Sequence, residues 1–279
     1  MKTIVPHVSV DLDAVTSSWL VVRYMPGWTE AGFNFVPAGT TLNGADPDED
    51  LNIIHVDTGL GKFDHHQFAD NKLSATKRVF DYLQEKSYVK KTDLPALSRI
   101  VEFVTLIDNF GEVYFPDPTS DIYDFSLYQL TEGLKQLGKK DEEVVRIMFT
   151  LLDATLELFK KKINAEDEVK KGYIFKTKWG KSLALETQNE EALKYALKQG
   201  YKIVARRNPK KGFVRIKSAP EKEIDLTPVH EEIVKKDPSA TWFLHSSKHM
   251  LLNGSSKNPT AVASNLPLKK VVEILQSIA

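Results

Sequence analysis

The chain predicts an α/β protein: a parallel-sheet N-terminal domain (1–120), a helical connector (121–171) and a smaller α/β C-terminal domain (172–279). Three observations carry this. Within the first 110 or so residues, short β-branched runs alternate with segments of helical spacing, the pattern of a parallel sheet joined by helices. From 122 to about 171 the spacing is helical, with one break near Gly138. After Gly172 strand-like runs return.

Residues 3–6 read as a buried strand, and 14–25 as a helix stopped by Pro26-Gly27. Two further strands, 33–36 and 52–56, flank a turn-rich acidic stretch at 43–50. Helical spacing recurs at 74–85 and 98–107. A helix near 141–162 carries Val144, Val145, Ile147, Met148, Leu151, Leu152, Leu156 and Phe159 on a wide apolar stripe. Strands at 173–176 and 182–186, a helix at 189–199 and strands at 201–205 and 212–217 follow. A short strand at 242–245, a loop rich in Ser, Lys, Asn and Gly, and a helix near 268–278 close the chain. Trp28, Trp179 and Trp242 read as packing residues.

Apolar residues make up 42% and charged residues 27%, the balance of a soluble globular protein. No apolar run approaches the roughly 20 residues of a membrane span, and the N-terminus turns polar too early for a signal peptide, so a cytoplasmic protein with no membrane partner is expected. The absence of cysteine excludes disulfides, thiolate metal sites and cysteine nucleophiles. Net charge is zero but unevenly spread. Residues 41–70 hold seven Asp/Glu and one Lys, whereas 171–217 hold thirteen Lys/Arg and three Glu. That division suits cations in one half and polyanions in the other, or simply two solvated faces.

The chemistry concentrates early. His7-Val8-Ser9-Val10-Asp11-Leu12-Asp13 follows the first strand, Asp57 ends a strand, Asp64-His65-His66 lies in the next loop, and Asp108 closes a helix. In an open α/β sheet the loops after the strands converge on one crevice. Asp11, Asp13, Asp57 and Asp108 would repel one another there, and two divalent cations would cancel them. Carboxylate plus imidazole without sulfur suits Mn2+, Mg2+, Fe2+, Co2+ or Zn2+, and two ions about 3.5–4 Å apart can activate a water and clamp a phosphoryl oxygen. Taken singly, Asp13 also suits the N-cap of a helix from Ala14. His55, two residues before Asp57 on the same strand face, reads either as approaching the site or as a satisfied core histidine.

This ordered set resembles the DHH phosphoesterase superfamily. Val56-Asp57-Thr58-Gly59, Phe63-Asp64-His65-His66-Gln67, Ile107-Asp108-Asn109 and Trp242-Phe243-Leu244-His245 look closest to its melanocyte-proliferating-gene (MYG) exonuclease-like branch. The resemblance implies a DHH-type catalytic domain and a C-terminal substrate-binding domain, with the active site in the cleft between them. It implies that His7, Asp11 and Asp57 bind one metal and that Asp13, Asp57, His65 and Asp108 bind the second, Mn2+ being favoured, with Asp57 as the bridge. Asp64 would orient a ligand imidazole, and His66 would act on the substrate phosphate.

His245, Ser246, Ser247, Lys248, Asn253, Gly254 and Ser255 form a donor-rich stretch suited to phosphate, placed where many relatives carry consecutive glycines. Arg206, with Arg207, Lys210, Lys211, Arg215, Lys217 and Phe213, reads either as a nucleic-acid contact or as a solvated hairpin turning at 208–212. The function expected is hydrolysis of phosphodiesters in short nucleic acids or nucleotides by a metal-bridging hydroxide. The alternatives are a phosphoanhydride hydrolase and a metal- or nucleotide-binding regulator without turnover.

Overall fold

The computed structural model describes residues 1–254 and 258–278, so Ser255 of the expected substrate loop lies outside the described residues. The chain divides into two compact units, Met1–Lys160 and Lys161–Ala279. The division falls inside one long helix, so 121–160 group with the first unit rather than forming a separate connector. No helix among the described residues is long and apolar enough to cross a membrane.

The first unit is built on a three-stranded parallel sheet, ordered β2 (Gly32–Phe33), β1 (Thr3–Val5), β3 (Ile53–His55). Helix α1 (Leu12–Tyr24) links β1 to β2 and is buried on every side from Leu12 to Val21. Of its three buried hydroxyls, Ser17 and Ser18 donate to the Ala14 carbonyl, while Thr16 Oγ1 has no partner among the described residues. The helix begins at Leu12, with Asp11 rather than Asp13 as its N-cap; the Asp11 carboxylate accepts the Ala14 N–H at 2.9 Å. Helices α2 (Ala75–Glu85) and α3 (Leu94–Asp108) pack on α1 and on each other. After two short 3-10 turns come α4 (Leu127–Gln136) and α5 (Asp141–Lys171). Of the apolar stripe on α5, Val144, Val145, Met148, Leu152 and Leu156 are buried, Leu151 and Phe159 are half-buried and Ile147 is exposed.

The second unit holds a six-stranded mixed sheet. Its order is β4 (Tyr173–Thr177), β5 (Gly180–Glu186), β6 (Ile203–Arg207), β7 (Val214–Ser218), β9 (Met250–Asn253), β8 (Trp242–Leu244). Among these described strands only β5 and β6 run parallel. One face packs Ala205, Ile216 and Leu251 against α7 (Thr227–Lys236) and α8 (Leu268–Ser277). The other packs Leu183, Leu185 and Val204 against Ala165 and Val169 of α5 and against α6 (Glu190–Lys198). Helix α7 and strand β9 are elements the sequence pattern does not announce. Strand β9, Met-Leu-Leu-Asn, has no β-branched residue and is defined by pairing with two other strands.

Three expected substrate contacts turn out to be internal to this unit. Asn253 is fully buried; its amide donates to the Thr241 and Val262 carbonyls and its oxygen accepts the Ser264 N–H. Gly254 has φ +80°, and a Cβ there would lie 2.1 Å from the Phe213 ring. Arg206 is 2% exposed and donates to the Thr187 carbonyl at 3.0 Å. The Asn253 amide, with its donors and its acceptor already engaged by the fold, has little left for a ligand. Asn253→Ala should therefore destabilise the chain by about 1–3 kcal/mol, seen as a lower urea midpoint, because three backbone groups, one of them the buried Ser264 N–H, lose their hydrogen bonds.

Candidate metal centre

The C-terminal ends of the parallel strands deliver the site. Strand β1 runs out to His7, which bridges to Val36, and β3 runs out to Asp57. Asp57 has φ +56°, a left-handed conformation that aspartate tolerates better than most residues and that turns the chain sharply at the strand end. The next turn needs Gly59 at φ +80°, where a Cβ would meet Thr41 at 2.8 Å.

Around Asp57 the ligand-type atoms converge in overlapping groups: His7, Asp11 and Asp57; Asp13, His65 and Asp108; and Asp57, His65 and His66. The two Asp57 oxygens face different ways. Oδ2 lies 3.3 Å from His7 Nε2, and Oδ1 lies 3.5 Å from His65 Nε2. His65 Nε2 is also 3.4 Å from Asp108 Oδ2 and 3.8 Å from Asp13 Oδ2, and His7 Nε2 is 3.7 Å from Asp11 Oδ2. Asp57 Oδ1, His65 Nε2 and Asp108 Oδ2 are buried without any hydrogen-bond partner. Donors held about 2.1 Å from a common ion stand about 3–3.4 Å apart, so this set needs only small adjustments to close on a cation. The donor chemistry fits a hard or borderline divalent ion, with carboxylate and imidazole and no sulfur.

Protons take the part of cations when none is bound. Against its burial, His7 is held up to about 11 by Asp11 and Asp57. Contact with Asp57 raises His65 to about 9, with Asp108 and Asp13 adding to the effect. Burial lifts Asp108 to about 7, with Asp57 and Asp11 adding to the rise, and burial with Asp57, Asp108 and Asp11 lifts Asp13 well above the carboxylate range. Asp57 goes the other way: despite burial, the two imidazoles bring it down to about 2.

Backbone N–H groups hold the carboxylates in place. Asp13 accepts Ala75 N–H at 2.7 Å and Thr76 N–H at 2.8 Å, the free N-terminal donors of α2, while Ser74 caps Lys77. The capping role considered for Asp13 is thus exercised on a different helix. Asp64 is 1% exposed, and its carboxylate accepts the N–H groups of Leu60, His65 and His66. It also lies 2.7 Å from His66 Nδ1, so the imidazole it orients is that of His66 rather than that of His65. With Nδ1 so engaged, His66 presents Nε2 outward from a half-exposed ring. Its borders include an open cavity of about 630 Å³ lined by His65, His66, Phe68, Asp70, Asn71 and Asn109. His55 is a satisfied core histidine: Nε2 accepts the Leu42 N–H at 2.9 Å and Nδ1 lies 3.1 Å from the Pro47 carbonyl.

One contributor escapes sequence reasoning. Asp141, first residue of α5, accepts the successive N–H groups of Ser9 and Val10 at 3.0 Å each. Ser9 has φ +58°, which aims both donors at one carboxylate and fixes the loop bearing His7 and Asp11. An acid at a helix start is commonplace, so nothing in the local pattern marks it.

Elsewhere, 245–248 form the turn of the β8–β9 hairpin, closed by His245 N–H on Met250 and Lys248 N–H on His245. His245 Nδ1 meets Ser247 Oγ at 2.9 Å, Lys248 pairs with Asp225 at 2.8 Å, and Ser246 and Ser247 are exposed.

No protein-family model matches the chain, and no curated protein matches it. Among solved structures, one match is a DHH-domain protein described as a member of a family of ribosomal proteins. It is 12% identical with a TM-score of 0.31, covering 98% of this chain and 85% of that one. Another is RecJ from Thermus thermophilus in complex with Mg2+, 12% identical with a TM-score of 0.29. There the alignment covers 99% of this chain but 55% of RecJ. Likenesses this slight leave the function to be argued from the site's own atoms.

Two outcomes are expected. Since His7, His65 and Asp13, and in part Asp108, hold protons at pH 7, divalent cations filling both positions should displace at least two protons per chain. Their affinity should climb as pH rises from 6 to 8, by about tenfold per unit for each proton displaced. Calorimetry in buffers of different ionisation enthalpy measures this. Asp141→Ala should cost about 1–3 kcal/mol of metal-free stability and weaken cation binding, read by thermal unfolding in EDTA and by calorimetry.

Proposed function

We propose that this chain is a metal-dependent phosphoesterase of the DHH type, nearest its MYG branch, that hydrolyses phosphodiesters of short nucleic acids or nucleotides. The observation that carries the reading is that Asp57 Oδ1 and Asp108 Oδ2 both lie within 3.5 Å of His65 Nε2 while all three atoms are buried without a hydrogen-bond partner. A folded chain rarely leaves such atoms together unless a ligand completes them.

His7, Asp11 and Asp57 would hold one cation, and Asp13, Asp57, His65 and Asp108 the other, Asp57 offering one oxygen to each side. When bound, two divalent ions would polarise a phosphoryl oxygen and make water acidic enough to attack near neutral pH. The chain's own groups do the rest. Asp13 stays fixed by the N-terminus of α2, so its oxygens keep their direction as charge develops. Asp64 holds Nδ1 of His66 and leaves Nε2 to meet a phosphate oxygen or the leaving group. Exposure of that ring is consistent with a residue that touches substrate rather than one that packs.

Purified protein with Mn2+ should cleave bis-(p-nitrophenyl) phosphate or a short oligonucleotide, and Asp57→Ala should reduce the rate by at least 10³-fold. Undiminished hydrolysis by that variant would exclude the site. A panel that includes pyrophosphate separates the bond class: orthophosphate released from pyrophosphate alone would move the activity to phosphoanhydrides.

A further inference from the structure

The helices of the second unit cover one face of its sheet only in part. α5 and α6 lie over Leu183, Leu185 and Val204. Strand pairing carries that same face onward. Val204 lies opposite Lys217 and Arg206 opposite Arg215, which puts these cations on the Val204 side. Arg215 is opposite Leu252, which is opposite Phe243; Lys217 is opposite Met250, whose carbonyl takes the His245 N–H. Neighbouring strands are about 4.8 Å apart, so Phe243 stands about 10 Å from Arg215 with Leu252 between them, and the two rows are about 7 Å apart. The result is a cationic column, an apolar column and an aromatic column, side by side.

Each column is available in a different way. Phe243 is 56% exposed, and its ring meets the His245 ring edge-on at 6.5 Å. Glu190 pairs with both Arg206 and Arg215, and Glu191 pairs with Lys194. Lys217 has no carboxylate in ion-pair reach among the described residues. Burial and the neighbouring Arg215 and Lys194 hold its ammonium below the usual lysine range. Positive charge that is incompletely matched inside the chain favours an anion from outside.

We infer that this face binds one nucleotide unit of a single strand, with its phosphate at Arg215 and Lys217, its sugar over Leu252 and Met250, and its base stacked on Phe243. The inference rests on the phosphodiesterase reading above and narrows its substrate to a polynucleotide. A phosphoanhydride could use the cationic column but has no base for the aromatic one. Stacking on a ring serves any base, so weak sequence preference is expected.

The test uses the full chain in EDTA with a fluorescein-labelled single-stranded ten-mer, read by anisotropy. Phe243→Ala should weaken binding about 5- to 150-fold while Phe243→Trp retains it, since one stacked base contributes about 1–3 kcal/mol. Lys217→Ala should lower the slope of log affinity against log salt by about 0.7. Inorganic tripolyphosphate should compete for Lys217 and bind Phe243→Ala as it binds the parent. Ten-mer affinity within twofold of the parent for Phe243→Ala, or no binding by the parent, would overturn the proposal. Asp57→Ala separates the two readings: it should lose hydrolysis yet bind the ten-mer normally. Lost binding with hydrolysis intact condemns this face alone, and normal binding with no hydrolysis in the parent condemns the metal reading alone.

Discussion

Asp57 carries a buried carboxylate with an imidazole on each side and three further carboxylates close by, and the first unit is organised around that crowding. Ligand-type oxygens within each group lie within 4.8 Å of their neighbours. Two like charges at that distance repel by about 3–4 kcal/mol at an effective dielectric near 20. A whole domain is stable by only about 5–15 kcal/mol, so several such pairs cannot persist without compensation. Protons on His7, His65, Asp108 and Asp13 supply it in the metal-free chain, and divalent cations would supply it better.

The same constraint explains how the surrounding backbone is used. Donors that a helix start or a tight turn would leave to water are directed at carboxylates instead. The N-terminus of α2 holds Asp13, the loop at 60–66 holds Asp64, and the left-handed turn at Ser9 holds Asp141. Each of these bonds fixes a ligand directly or fixes the loop that bears it. Asp57 itself accepts no backbone donor among the described residues and keeps both oxygens for the centre, while its own N–H is tied to the Phe63 carbonyl.

In the second unit Asn253 and Arg206 are internal for different reasons. Strand alternation turns Asn253 to the face away from Arg215, where it joins β9 to the chain at 241 and 262–264. Arg206 is paired with Arg215 across the sheet but is drawn in to anchor 187 beside β6. Arg215, Lys217 and Phe243 come to one face because antiparallel pairing puts opposite residues on the same side. Lys210 and Lys211 lie in the hairpin turn, where Asn208 accepts both their N–H groups. A basic stretch that is continuous in sequence is therefore split among a face, an edge and a turn.

The sequence by itself determined the α/β class and most of the helices, and it nominated the acids and histidines of the metal-type cluster. Amphipathic spacing is a local signal, and the ordered set of acids and histidines is legible as a pattern even though each member alone has other uses. It left His55 open between the site and the core, and contacts with the Leu42 N–H and the Pro47 carbonyl placed it in the core. Only the tertiary structure decided that Asp11 caps α1, that Asp13 caps α2, that Asp64 serves His66, and that Asp141 reaches back 131 and 132 residues to the His7 loop. Only it showed that Asn253, Gly254 and Arg206 face inward and that β9 exists. Those outcomes rest on hydrogen bonds and strand register between distant segments, and local periodicity holds no record of them.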